Sequence, residues 1–137
     1  MKPENIPKTM HAVLLTGHGG LEKLEYKTDI KVPVPKDDEV LIKVSAAGIN
    51  NTDINTRTGW YSKSTDNDGG SWSGEPIKFP LIQGIDVCGN IVSVGSEVNS
   101  SRIGERVIVR PMQIDPKNSA RPNMVTLGSE LNGAFAQ

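Results

Sequence analysis

The amino-acid sequence predicts a mainly β domain, an all-β barrel or sandwich with one or two short helices. Three observations lead to this prediction: apolar and polar residues alternate over several short runs, glycines and prolines separate those runs, and only one segment favours a helix. With 137 residues the chain is long enough for one hydrophobic core and too short for a second domain of ordinary size, so residues 1–137 are expected to form one domain.

The predicted strands recur along the whole chain. Five runs show either two-residue alternation or a compact β-type composition, and these are MHAVLL at 10–15, LEKLEYKTDIKV at 21–32, EVLIKVSAAGI at 39–49, DVCGNIVSVG at 86–95 and ERVIV at 105–109. The last residues, GAFAQ at 133–137, resemble a strand cut short, in which Phe135 needs a partner surface.

The connections between these runs are polar and rich in glycine and proline. TGHGG at 16–20 predicts the turn after the first strand, and the Asn and Thr residues after Asn50 predict a short helix that begins near Asn51. Residues 61–80 contain many Ser, Asp, Gly and Pro residues and predict a mobile loop. Residues 111–127 show neither period and carry three prolines, so irregular chain is expected there.

Composition excludes several classes of partner. Lys and Arg total 15 and Asp and Glu total 16, so the surface offers no electrostatic reason to bind nucleic acid or an anionic membrane. The amino-terminal sequence lacks the long apolar stretch of a signal peptide or membrane span, which predicts a cytoplasmic protein. Cys88 is the single cysteine, so an internal disulfide and a thiolate cluster for structural zinc are both excluded.

Two glycine-hinged segments carry most of the functional signal. They are AAGINNTD at 46–53 and GIDVCGNIVSVG at 84–95, and IGERVIV follows closely at 103–109. Together they resemble the N-terminal, GroES-like catalytic domain of the medium-chain dehydrogenase/reductase superfamily, which contains zinc alcohol dehydrogenases and zinc-free quinone reductases. The resemblance implies a GroES-like, partly open β-barrel. It also implies that this chain is a fragment of a two-domain enzyme whose nucleotide-binding Rossmann domain is the missing partner, and that the fragment alone is inactive.

The resemblance to the zinc branch fails at the metal ligands. Asn50 stands where zinc alcohol dehydrogenases have a ligand Cys, and Ile85 stands where they have the His of a Gly-His-Glu motif. An amide and an alkyl group supply neither the thiolate nor the imidazole of such a site, so we expect no bound zinc.

The resemblance to the quinone-reductase branch extends over about forty positions, which makes it more specific than a single short motif. The matching residues are Gly48, Ile49, Asn50, Asp53, Arg57, Gly59, Tyr61, Pro80, Gly84, Asp86 and Gly89. This match implies metal-independent hydride transfer from NADP(H) to a small-molecule substrate, a quinone, enone or other carbonyl compound, by a full-length enzyme that could be a homodimer.

Three residues are predicted to act at the catalytic site. The resemblance implies that Asn50 and Thr52 lie near the nicotinamide and the substrate carbonyl, where an amide and a hydroxyl can polarise an oxygen that gains negative charge. Tyr61 is predicted to stack on substrate or to donate its phenolic proton.

Structural roles compete with these catalytic ones. Asn50 is also a favoured helix-capping residue. Asp53 and Arg57 have the four-residue spacing of a helical ion pair worth about 0.2 to 0.5 kcal/mol, and Asp86 is expected to need Arg57 or backbone donors as a partner. These last three residues are therefore predicted to support the site.

Two other functions remain open at this stage. The chain could be a zinc-type alcohol dehydrogenase relative that has lost its metal, or a non-enzymatic GroES-like binding module, since fold does not fix function. A ring-forming module would need a compact aliphatic anchor in its mobile loop, and residues 62–76 contain none. If the missing domain exists, Trp60, Trp72 and Phe79 are candidates for the apolar surface that it covers.

Overall fold

Antiparallel strands are the main regular secondary structure of the computed structural model, which describes residues 6–61, 76–114 and 124–137. In chain order the strands are β1 (Thr9–Leu15), β2 (Leu24–Lys31), β3 (Val40–Gly48), β4 (Leu81–Ile82), β5 (Asp86–Val94), β6 (Arg106–Val109), β7 (Met112–Ile114) and β8 (Met124–Thr126). The helix α1 (Asn51–Thr58) follows β3, and short 3₁₀ turns occupy Leu21–Lys23 and Ser100–Arg102. The prediction of a mainly β fold with one or two short helices is confirmed.

The described strands form two three-stranded sheets and one two-stranded sheet. The first sheet has the order β2-β1-β4, the second has the order β3-β5-β6, and β7 pairs with β8. Each of these ladders is antiparallel. The β3–β5 pairing sets Gly48 opposite Asp86, so the end of β3 and the start of β5 lie side by side. α1 leaves the sheet at this point.

Two apolar clusters hold the first sheet in place. Met10, Ala12 and Ile82 form one cluster, against which Phe135 and other half-buried residues pack. The second cluster contains Leu15, Ile77 and Leu81. Burial of one large aliphatic side chain contributes about 1.5 to 3 kcal/mol to the free energy of folding, so these two clusters stabilise the first sheet.

The barrel is open between its sheets. A cavity of about 710 Å³ is lined by residues of β1 to β5 and by the carboxyl-terminal residues of the chain. Its lining includes no residue of α1. In the described part of the chain, no helix has the length and apolar character needed to cross a membrane.

One sequence prediction about secondary structure is wrong, and one strand was missed. Residues 111–127 were expected to be irregular, but the three-residue strands β7 and β8 lie within them and pair with each other. The two-residue strand β4 was not predicted at all, although both of its residues are buried. Most of the predicted mobile loop, at 62–75, lies outside the described residues, while Ile77 near its end is 8% exposed and packs in the core.

Candidate functional site

The amino-terminal end of α1 is fixed by a capping box. Asn50 is the N-cap, its side-chain Oδ1 accepts the Thr52 backbone N–H at 3.1 Å, and the Asp53 carboxylate accepts the Asn50 backbone N–H at 2.9 Å. These bonds satisfy amide groups that the first turn of a helix leaves without partners. The structural role predicted for Asn50 is therefore present in the structure.

The Asn50 side chain also reaches across to β5. Its Nδ2 donates to Asp86 Oδ2 at 3.3 Å. Because a backbone N–H can only donate, the contact with Thr52 identifies the amide oxygen, and the nitrogen must then face Asp86. Asp86 is exposed and accepts from the Asn50 side chain, whereas the sequence suggested Arg57 or backbone donors as its partner. The adjacent ends of β3 and β5 account for this contact.

Asp53 links α1 to the turn before β5. Asp53 is 8% exposed, and besides the Asn50 N–H the backbone of Gly84 and Ile85 lies close enough to stabilise its charged carboxylate. The buried Gln83 side chain donates to the Asp53 carbonyl at 2.8 Å. The turn at residues 83–85 therefore surrounds Asp53 and sets where the first turn of α1 lies.

The carboxyl-terminal segment of the chain packs against the turn at residues 83–85 through backbone hydrogen bonds. Ala134 N donates to Gly84 O at 3.0 Å, and Phe135 N donates to Gln83 O at 2.9 Å. Gly84 has a φ of 106°, and a Cβ added there would lie 2.9 Å from the backbone nitrogens of Ala134 and Phe135. A Cβ on Gly133 would collide with the Gly84 carbonyl oxygen. Main chain thus packs directly on main chain beneath the site.

The environment of Asp53 changes its acidity. Burial raises the pKa of the Asp53 carboxyl above its ordinary value, and the nearby Asp86 carboxylate acts in the same direction. The hydrogen bonds from the backbone of Asn50, Gly84 and Ile85 oppose this change but do not cancel it. Asp53 is therefore a buried acid immediately beneath the candidate site.

The carboxyl-terminal end of α1 has different partners. Arg57 Nη1 donates to Gly19 O at 2.7 Å, and Asn55 Nδ2 donates to Tyr61 Oη at 3.2 Å. The predicted ion pair between Asp53 and Arg57 is not among the salt bridges of the described residues, because each side chain has a partner in another segment. The prediction of that pair is wrong.

The structure brings together only part of the predicted site. Asn50, Thr52, Asp53 and Asp86 meet at the first turn of α1. Tyr61 lies beyond the last turn, and an eight-residue helix is about 12 Å long. The half-buried Thr52 makes no side-chain hydrogen bond to another described residue. Gln83 and the segment at 133–135 were not predicted, since nothing in their local sequence signals contacts 30 or more residues away.

Large apolar side chains are exposed around α1. Ile49 is 87% exposed and Trp60 is 72% exposed, and these residues flank the two ends of the helix. Phe79 is half-buried against the second apolar cluster, so its predicted place in the exposed surface is wrong. Trp72 lies outside the described residues.

The donor set at Asn50 does not fit zinc. Catalytic zinc requires three protein ligands of thiolate, imidazole or carboxylate type. Here the nearby groups are the Asn50 amide, the Ile85 alkyl chain and the Asp86 carboxylate, which accepts from Asn50. Among residues 6–61, 76–114 and 124–137, no cluster of three or more His, Cys, Asp or Glu residues could hold a metal ion.

Comparison with known proteins identifies the class of this fold and site. Residues 36–137 match the family model for the alcohol dehydrogenase GroES-like domain, and the chain belongs to that family. This confirms the family and the barrel type that the sequence predicted.

Two curated relatives and one solved structure show which members of the family this chain is similar to. The chain is 39% identical over 100 residues to the quinone oxidoreductase of Homo sapiens, covering 73% of this chain and 27% of the relative. It is 38% identical over 103 residues to the NADPH-dependent alkenal/one oxidoreductase, chloroplastic, of Arabidopsis thaliana, covering 75% and 24%. A solved Sinorhizobium meliloti structure described as an alcohol dehydrogenase superposes with a TM-score of 0.80 at 43% identity, covering 97% and 38%. The chain thus spans about a quarter of the length of these curated relatives.

Proposed function

We propose that this chain is the catalytic domain of an NADP(H)-dependent, zinc-independent oxidoreductase that reduces quinones, enones or other carbonyl compounds. The observation that carries the proposal is the Asn50 amide, which stands at the cysteine position of zinc relatives and is held by hydrogen bonds to Thr52 and Asp86. The names of the human and Arabidopsis relatives support the substrate class and the cofactor.

The nicotinamide of NADP(H), bound mainly by the remaining part of the polypeptide, would supply the hydride. Asn50 is suited to the other half of the reaction. One of its two amide protons is directed at Asp86, and the second can be donated to a substrate oxygen that gains negative charge. The positive end of the α1 dipole lies at the same place and favours that charge.

Thr52 and Tyr61 take different parts in this proposal. Thr52 is in the first turn of α1, beside Asn50, where its hydroxyl can pass a proton to the reduced oxygen. Tyr61 lies beyond the other end of the helix and is assigned to the substrate wall, away from the reacting oxygen. Asp53, Arg57 and Asp86 support the helix that carries both groups.

The missing partner is proposed to be a nucleotide-binding domain of the same polypeptide. Its contact surface is assigned to the exposed apolar residues beside α1, of which Ile49 and Trp60 are the largest exposed members. Apolar groups of this size, exposed at both ends of the helix that carries the candidate site, are typical of a surface that another domain covers.

The test uses the polypeptide encoded by the complete reading frame. Oxidation of NADPH is followed with quinones, enones and aldehydes, and zinc is measured by elemental analysis. Turnover without stoichiometric zinc is the expected result. Stoichiometric zinc together with alcohol oxidation would instead support the zinc-type alternative, and a ring-shaped oligomer without turnover would support a binding module.

Two variants test the contribution of the Asn50 side-chain amide to the rate. Asn50→Ser keeps a good helix cap but removes the amide donor, and we expect kcat to fall about 10²-fold or more, as for the loss of one oxyanion donor. Asn99→Ser is the matched control, because Asn99 caps the turn at Ser100–Arg102 in the same way, through the Ser101 N–H at 2.9 Å. An Asn50→Ser enzyme with wild-type kcat contradicts the role of Asn50.

A further inference from the structure

The turn after β1 makes hydrogen bonds to the carboxyl-terminal end of α1. Arg57 Nη1 donates to Gly19 O at 2.7 Å, and Gly19 N donates to Arg57 O at 2.9 Å, so the two residues bond in both directions. His18 Nδ1 donates to Thr56 O at 3.0 Å. We call these three contacts, made by His18, Gly19 and Arg57, the Gly19 latch.

The latch satisfies groups that the helix cannot satisfy alone. The last four carbonyl groups of an α-helix lack internal partners. At the end of α1, Gly59 supplies N–H bonds to the carbonyls of Asn55 and Thr56, and the latch supplies donors to those of Thr56 and Arg57. The turn is itself fixed, because Gly20 N donates to Glu22 Oε1 at 2.9 Å.

Polar contacts hold α1 more than apolar packing does. The buried residues of the helix are Asp53 and Thr56, and both are polar. The Asp53 carboxylate binds at the amino-terminal end, and the Thr56 carbonyl accepts the His18 bond of the Gly19 latch at the other end. A short helix held this way has no apolar face of its own to restore its orientation if one anchor is lost.

We infer that Arg57 is a positioning residue, which sets the orientation of α1 and thereby the placement of Asn50 and Thr52 against the substrate. The inference rests on the proposed function. Its physical basis is that α1 is one rigid unit of eight residues, so a shift at its last turn is passed to its first turn. Reacting groups tolerate little displacement, and about 1 Å can cost 10²-fold in rate.

The experiment compares four variants of the polypeptide encoded by the complete reading frame. Arg57→Met removes the guanidinium, and Arg57→Lys keeps the charge and one donor. Gly19→Ala acts from the turn, because Gly19 has a φ of 153°, which residues with a side chain rarely adopt. Arg102→Met is the control, because Arg102 is a half-exposed arginine paired with Glu105 on another surface.

Kinetics are measured at a temperature where circular dichroism shows every variant fully folded. We expect Arg57→Met and Gly19→Ala to lower kcat about tenfold or more while KM for NADPH changes less than twofold. Arg57→Lys should restore part of kcat, and Arg102→Met should match the wild type. Normal kcat in a folded Arg57→Met enzyme overturns the inference.

A second readout does not depend on turnover. Amide hydrogen exchange reports the Asp53 N–H, which bonds to the Asn50 carbonyl at 3.0 Å in the first turn of α1. Arg57→Met should speed its exchange about tenfold, whereas faster exchange confined to residues 57–60 would overturn the inference. If the wild type shows no turnover, the proposed function fails, and this exchange measurement still decides whether Arg57 positions the first turn.

Discussion

The two ends of α1 are both held by polar contacts, but they differ in burial. At the amino-terminal end the Asp53 carboxylate is nearly enclosed and accepts backbone N–H groups from a turn that is itself buried. At the carboxyl-terminal end a half-buried Arg57 side chain reaches a surface turn. Since an unsatisfied polar group costs most where water cannot replace the lost partner, the amino-terminal end should dominate stability and the other end should be easier to shift.

The acidic residues beside the two ends respond to these surroundings in opposite ways. Burial raises the pKa of Asp53. Hydrogen bonds from the backbone of Glu22 and Gly20 lower the pKa of the exposed Glu22 carboxyl, with further lowering from the positive charges of Lys23 and Arg57. Burial therefore disfavours the charged form of the Asp53 carboxyl, whereas the surroundings of Glu22 favour its charged form.

The largest expected effect is at Asp53. Asp53→Ala removes the buried acceptor of the Asn50 N–H and the carboxylate that faces the Gly84 and Ile85 backbone, and we expect the free energy of unfolding to fall by about 3 kcal/mol or more. Urea denaturation of the purified protein measures this. Asp53→Asn keeps the shape and one acceptor oxygen, so it should cost less. Equal costs for the two variants would contradict this prediction, because they would show that the shape and acceptor oxygen kept by Asn contribute nothing to stability.

The turn beneath Asp53 gives the next largest effect. Gly84→Ala places a Cβ on a residue with a φ of 106°, at 2.9 Å from two backbone nitrogens. We expect the free energy of unfolding to fall by about 2 to 3 kcal/mol. Gly17→Ala is the matched control, because a Cβ there meets no atom within 4 Å. Thermal unfolding of both variants gives the comparison, and similar melting temperatures would contradict the packing described.

A smaller effect is expected at the other end of the helix. Arg57→Met removes one charged hydrogen bond at a half-buried position, and the free energy of unfolding should fall by about 1 kcal/mol, less than for Asp53→Ala. Urea denaturation under the same conditions measures the difference. A larger loss for Arg57→Met than for Asp53→Ala would reverse the proposed order of the two ends.

The smallest expected effect is a dependence on pH. Because the folded pKa of Asp53 lies above its ordinary value of 3.8, the folded state binds this proton more tightly. The contribution is fully present below that value and is lost as the pH rises through the folded pKa. The difference in unfolding free energy between wild type and Asp53→Asn should therefore change in that window. A difference that is constant with pH would contradict the raised pKa.

The sequence predicts those parts of this fold whose signal is local. Alternation over six or more residues is enough to locate β1, β2 and β3, and a run of β-type residues locates β5. The strands β4, β7 and β8 are only two or three residues long, too short for a period to show, and prolines near β7 and β8 favour irregular chain. At the site, Asn50 is recognisable as a cap from its neighbours.

Contacts between distant segments could not be predicted in the same way. The spacing of Asp53 and Arg57 suits an ion pair within an isolated helix, worth only a few tenths of a kcal/mol, so partners supplied by the fold displace it. Those partners are Gly84 and Ile85 for one residue and Gly19 for the other. Where local preference is this weak, the tertiary structure decides.

The direct stacking of Gly84 on the chain at residues 133–135 constrains how this domain can diverge. A side chain added at Gly84 or Gly133 would collide with the backbone of the facing segment, and we expect the turn at residues 83–85, and Asp53 with it, to shift in response. New specificities can therefore arise by exchanging groups around the rim, such as Tyr61, while the glycine layer stays unchanged. Mutational libraries built on this scaffold should yield active members with varied rims and none with a bulky residue in place of Gly84 or Gly133.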